Sequence, residues 1–152
     1  MGLEKILRDN QEAILVKAIA SLHRSHLEHY EAAGPEQIRQ RLDTLLGLVI
    51  EAVIERNLAP VIGHASAVAT ARFEGGVDLA EVQTAFNVLE EVLWLEILKG
   101  LPASEQAEAL GLVGTVLGTG KDVLARQYVS LATRTRTPSL DLKALFSGTD
   151  GF

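Results

Sequence analysis

Between Asp78 and Lys99 the sequence carries more apolar surface than a single neighbouring helix can cover, and that excess dictates what the rest of the chain must supply. At about 100° per residue, Leu79, Val82, Phe86, Leu89, Leu93 and Ile97 share one arc, and Ala85, Val88, Val92 and Leu95 fill the adjoining flank. An arc that wide needs partners on several sides, so this segment is predicted to be the central helix of a bundle. Its start is well specified. Asp78 suits an N-cap, Glu81 three residues on completes a capping box, and Val77 can staple to Val82. Gly75-Gly76 makes the turn into it, and Gly100 with Pro102 ends it.

Several residues break the pattern. Gln83, Asn87, Glu90 and Glu91 leave a narrow polar strip, yet Trp94 and Leu98 stand on it, four residues apart. Either a loop or the chain terminus covers them, or they form a subunit or partner interface, where Trp is enriched. Glu96 errs the other way, projecting into the apolar arc, and Arg72 on the preceding helix falls among Val61, Ala65, Val68 and Ala69. A lone buried charge is costly, so Arg72 and Glu96 are expected to meet as a shielded ion pair.

The remaining chain supplies four further predicted helices. The first runs from about Gly2 to Ala32, with an apolar face that drifts from Leu3, Ile6 and Leu7 to Leu15, Ala18 and Leu22, implying a bend or two separate partners. Gly34-Pro35 ends it and opens the next, Pro35 to Asn57, where Ile38, Leu42, Leu45, Leu46, Val49, Ile50 and Val53 give the clearest helical periodicity. A short Ala- and Val-rich helix follows from Pro60 to Phe73. The last runs from near Ser104 to Thr133. Gly111, Gly114 and Gly118 flank its buried stripe, each costing about 0.8 to 1 kcal/mol against Ala. They suggest close helix packing, with a hinge or a small cavity as alternatives.

The expected fold is therefore all-α: a five-helix bundle forming a single domain over residues 1–133, with a globin-like arrangement among the options. Residues 134–152 form a C-terminal tail whose one weak amphipathic turn, Leu140, Leu142, Leu145 and Phe146, could dock over Trp94. A chain of 152 residues can bury a core without staples, and with no cysteine it has none of disulfide or thiolate kind. No segment reaches the roughly 20 apolar residues of a membrane span, and the N-terminus lacks the unbroken apolar core of a signal peptide. A soluble, cytoplasmic protein is expected. The net charge of -6, from 20 acidic and 14 basic residues, argues against nucleic acid as a partner.

The most chemically suggestive feature is the series His23, His26 and His29, all predicted within the apolar arc of the first helix. Residues three apart rotate by about 60°, so at most two can aim at one metal ion, with His64 or a distant acid completing the set. A metal or haem site using His26 or His64, a proton-sensitive interface and ordinary packed histidines are the three readings. Catalysis is not expected. Glu90 and Glu91 lie on a polar face, no serine has a nucleophile-elbow setting, and the Phe73-Glu74-Gly75-Gly76 turn lacks the Lys and Ser/Thr of a phosphate loop. No cofactor is expected either.

The opening Met1 to Ile14, the turn Ala71-Arg72-Phe73-Glu74-Gly75-Gly76-Val77-Asp78-Leu79-Ala80-Glu81-Val82 and the Leu89 to Trp94 helix resemble the N-terminal domain of RsbRD-type RsbT co-antagonists. The resemblance spans most of residues 1 to 133. It implies an all-helical regulatory input module, often joined in that family to a phosphorylatable STAS domain or a histidine kinase, and loosely related to non-haem globin-like sensors of stress signalling. This chain stops at Phe152 with no output domain, so it is expected to act by binding a partner. The family pattern has no catalytic residue to carry over. The leading expectation is a non-enzymatic signalling or scaffold module, homodimeric through Trp94 and Leu98. A haem- or small-ligand-binding globin-like sensor is the first rival, and an enzyme with a site inside the bundle the second.

Overall fold

Asn10 and His26 divide the first predicted helix into three pieces in the computed structural model, which describes residues 2–136 and their side chains as far as residue 134. The Asn10 amide Nδ2 and its own backbone N–H both donate to the Ile6 carbonyl, at 2.8 and 3.1 Å. This local competition with the helical ladder closes α1 (Leu3–Asp9), and α2 (Gln11–Arg24) restarts at an angle that the drifting apolar face requires. At the end of α2 the last turn tightens, His26 adopts a left-handed φ of 50°, and Leu27 is extended before the short α3 (Glu28–Ala33). The expectation of five helices is thus corrected to seven among the described residues, with no strand.

The later boundaries follow local chemistry. Gly34 at φ 86° and Pro35 at the first position launch α4 (Pro35–Glu55). It stops at Arg56 in the left-handed region, and Asn57 Oδ1 accepts the N–H of Ala59 at the start of α5 (Ala59–Glu74). Gly76, at φ 75°, terminates α5: its N–H donates to the Phe73 carbonyl and that of Val77 to the Arg72 carbonyl, a Schellman pair that satisfies two orphan carbonyls. The Tyr128 hydroxyl donates to the Val77 carbonyl at 2.8 Å, fixing this turn to the last helix.

The central helix, α6 (Leu79–Gly100), is flanked by α1 and α2 on one side and by α7 (Ala103–Arg136) on the other, while α7 also runs along α5. Val82, Phe86, Leu89, Leu93 and Ile97 are buried as the periodicity predicts, and so are Ala85, Val88 and Val92. Leu95 departs from the prediction. It is 59 % exposed and joins Trp94 at 44 % and Leu98 at 50 % on one open face. The tail turn expected to reach Trp94 lies outside the described residues. Among the described residues no helix is long and apolar enough to cross a membrane.

The glycines that permit close packing are not the predicted ones. A Cβ added at Gly111, Gly114 or Gly118 would meet nothing within 4 Å, and Gly111 opens onto a surface groove beside Ala52 and Leu58. Close approach occurs instead at Gly120, where a Cβ would lie 2.6 Å from Cε2 of Phe86, and at Gly100, where it would lie 2.8 Å from Cδ1 of Ile6. Gly120 is buried and lets the Phe86 ring rest against the backbone of α7. Gly114→Ala should therefore raise stability by up to about 1 kcal/mol through helix propensity, whereas Gly120→Ala should lower it by about 1 to 3 kcal/mol through overpacking. Denaturant midpoints of the two variants, moving in opposite directions, are the check.

Candidate functional site

Glu81, predicted to cap its own helix, turns away from it. The Asp78 side chain makes no capping hydrogen bond, and the Glu81 carboxylate caps α3 instead. Its Oε1 accepts the N–H groups of His29 (2.8 Å) and Tyr30 (3.3 Å), and its Oε2 accepts from His29 Nδ1 at 2.7 Å. Only 8 % exposed, it satisfies first-turn donors that no residue of α3 itself can reach. A carboxylate only accepts, so Nδ1 of His29 carries a proton in this contact. One acid thereby pins α3 to the start of α6 and sets Tyr30 into the interior, where its ring is buried.

Tyr30 borders a half-open cavity of about 190 Å³ bounded by α3, α4, α5 and α6. Its apolar lining comes from Ile38, Leu42 and Leu45 on α4, Val68 on α5, and Val82, Ala85 and Phe86 on α6. The polar lining is concentrated in a few groups. His64 and Arg72 share the inward face of α5 with Val68, spaced by four, and Arg41 lies three residues after Ile38 and four before Leu45 on α4.

The electrostatics of this cavity are one-sided. Burial, and then the nearby charge of Arg72, hold the Arg41 guanidinium below its usual range. The same two causes, in the same order, lower the His64 imidazole from its ordinary 6.5. Burial foremost pushes the Tyr30 phenol up to about 12, so it remains a hydrogen-bond donor at neutral pH. Among the described residues, neither Arg41 nor Arg72 has a carboxylate within ion-pair distance. Two half-buried guanidiniums therefore line one cavity, and among the described residues no carboxylate neutralises them. No hydrogen bond ties His64 to a hydroxyl or carboxylate among the described residues, so no nucleophile is paired with a base there.

The other sequence candidates fall elsewhere. Glu96 is buried as predicted, at 6 % exposure, but its partner is Lys17 on α2, with Nζ 2.6 Å from Oε1, rather than Arg72. That contact raises the Lys17 ammonium above its ordinary range. His23 and His26 are exposed rather than within an apolar arc, their rings 6.2 Å apart. His26 Nδ1 lies 3.1 Å from Glu31, and His29 is tied to Glu81. The helix break after Arg24 removes the three-residue spacing, and among the described residues no group of three His, Asp or Glu side chains could hold a metal ion. Nor do the residues fit a haem. His26 and His64 are not on one cavity, and about 190 Å³ is far below what four linked pyrrole rings would fill, given that a cavity of about 150 Å³ holds a single benzene.

Sequence reasoning flagged Arg72 and His64 individually and missed Arg41 and Tyr30. The position of Arg41 between Ile38 and Leu45 on the apolar face of α4 was the available signal. Because His64 is lowered in the folded chain, the unfolded state binds more protons near pH 6, so this residue's contribution to stability falls as pH drops through 6.5. Arg72→Gln should move the His64 titration midpoint upward but short of 6.5, since burial is the larger cause; proton NMR of the imidazole measures it. Glu81→Ala should cost about 2 kcal/mol, with faster amide exchange at His29 and Tyr30 than elsewhere in the core.

A family model described as the RsbT co-antagonist protein rsbRD N-terminal domain matches residues 13–138. Comparison with curated proteins gave no match, and comparison with solved structures gave none.

Proposed function

Because the chain belongs to the RsbRD N-terminal domain family, a family of stress-signalling regulatory modules, we propose that it is a non-enzymatic, cytoplasmic input module that works through protein contacts. The observation that carries this reading is the open face formed by Trp94, Leu95 and Leu98 on the most deeply buried helix of the bundle. Leu98 neighbours Trp94 at i, i+4 and Leu95 at i, i+3, and an exposed Trp with two exposed Leu is the composition of an interface centre rather than of a solvated helix face. The occupant we favour is a second copy of this chain, making a homodimer, and the family's description as RsbT co-antagonist points to co-antagonism of an RsbT-like protein as the output.

The same helix serves both ends of the device. Val82 and Phe86 wall the cavity, and the Trp94 face begins about 12 Å further along α6, at about 1.5 Å per residue. Input at the cavity reaches the contact face through a rigid rod, and a shift in how α6 packs against α2 and α7 changes what that face presents. The enzyme reading finds no support in the cavity's chemistry: its polar lining is Tyr30, Gln40, Arg41, Thr44, His64 and Arg72, and the Thr44 hydroxyl donates to the Gln40 carbonyl rather than to a base. Light scattering should give the wild-type chain the mass of two 16.4 kDa subunits and give Trp94→Asp the mass of one, with circular dichroism unchanged. A wild-type monomer would remove the dimer from this reading.

A further inference from the structure

We propose that the cavity between α4, α5 and α6 binds a small organic monocarboxylate with an aromatic or short branched aliphatic body, its carboxylate held by Arg41 and Arg72. The inference deepens the input-module reading, which gives the ligand its purpose, but the binding itself is argued from the cavity alone.

Three observations fix the chemical class. The first is charge. Arg41 and Arg72 are near enough for Arg72 to disfavour the charged form of Arg41, both are half-buried, and neither has a protein carboxylate to answer it among the described residues. Elsewhere in this fold buried charge is matched, as Glu96 is by Lys17 and Glu81 by the amides of α3. An anion from outside is the missing counterpart. A guanidinium pair presents parallel donors suited to the planar, two-oxygen edge of a carboxylate.

The second is the lining. Leu42, Leu45, Val82 and Phe86 are buried residues that leave apolar surface on the cavity, and a bare inorganic anion would occupy the polar side and leave that surface wet. The third is size. About 190 Å³ admits one six-membered ring with its carboxylate, or a branched chain of similar bulk, and is too small for a long-chain fatty acid. The Tyr30 phenol, kept protonated by burial, and the neutral His64 imidazole are available to complete the hydrogen bonding of the second oxygen.

The test uses the full chain in a buffer free of carboxylate and phosphate, with benzoate, phenylacetate and 4-methylpentanoate as probes, and benzamide, inorganic phosphate and chloride as controls. Calorimetric titration and the melting temperature should register the three acids and not the controls, and the His64 NMR midpoint should rise on adding acid, because an anion beside it favours the imidazolium. Arg41→Gln and Arg72→Gln should each weaken binding about 10-fold or more. Neither should lower the melting temperature of the free protein, because each relieves a like-charge contact. Equal binding of benzamide would show an apolar cavity without anion recognition, and equal binding of phosphate or chloride would show an anion site without an organic ligand. Either result overturns the proposal, as does the absence of any response to the three acids at millimolar concentration, or undiminished binding in the two Gln variants. Subunit mass, measured separately, decides the dimer reading, so the two can fail independently.

Discussion

Two carboxylates on α6 enter the interior, and the arrangement of the N-terminal half is the means of satisfying them. Glu81 and Glu96 are the buried charged residues of the described chain, one near each end of the central helix. An ionised acid cannot be left unanswered in a core, because its desolvation costs several kcal/mol. Lys17 reaches across from α2 to Glu96. The first turn of α3 folds over Glu81 and gives it two amides and an imidazole. Each acid thereby fixes the place of a different piece of what would otherwise be one continuous helix.

This accounts for why the N-terminal segment is broken. In a straight rod from Gly2 to Ala32 the N–H groups of His29 and Tyr30 would be spent on carbonyls four residues back, so Lys17 could still serve Glu96 but Glu81 would find no free amides. The left-handed residue at His26 and the extended Leu27 redirect the chain between the two anchor points. Six residues make too short a helix to persist by propensity. The wall of the cavity that Tyr30 provides is consequently held by tertiary contacts, above all the carboxylate at its N-terminus.

Much of this architecture was legible in the sequence. The periodicity of Ile38 to Val53 and of Val82 to Ile97 identified the core faces of α4 and α6, because burial imposes a regular repeat. Gly34-Pro35, Asn57 and Gly75-Gly76 marked boundaries through backbone chemistry that is local by nature. The burial of Glu96 could be read from its place in the arc, whereas its partner could not, since Lys17 lies 79 residues away and carries no mark of its destination. Glu81 misled for the same reason: a local rule named a partner, and a distant one with three donors prevailed. The His23, His26 and His29 pattern failed because it assumed one unbroken helix. Leu95 was counted as buried because the width of an apolar arc does not reveal where neighbours stop. The cavity draws its residues from four helices, and apart from His64 and Arg72 on one face of α5 no linear spacing brings Tyr30, Arg41, His64 and Arg72 together.

The seating of Phe86 has a consequence for selectivity. Its ring is pressed against the bare backbone at Gly120, with Val61 close by, and the same residue lines the cavity. A wall braced by main chain cannot yield as a flexible side chain would, so the ligand proposed above could gain length only toward the solvent mouth. The reach of the cavity on this side is thus set by the absence of a single methyl group on the neighbouring helix.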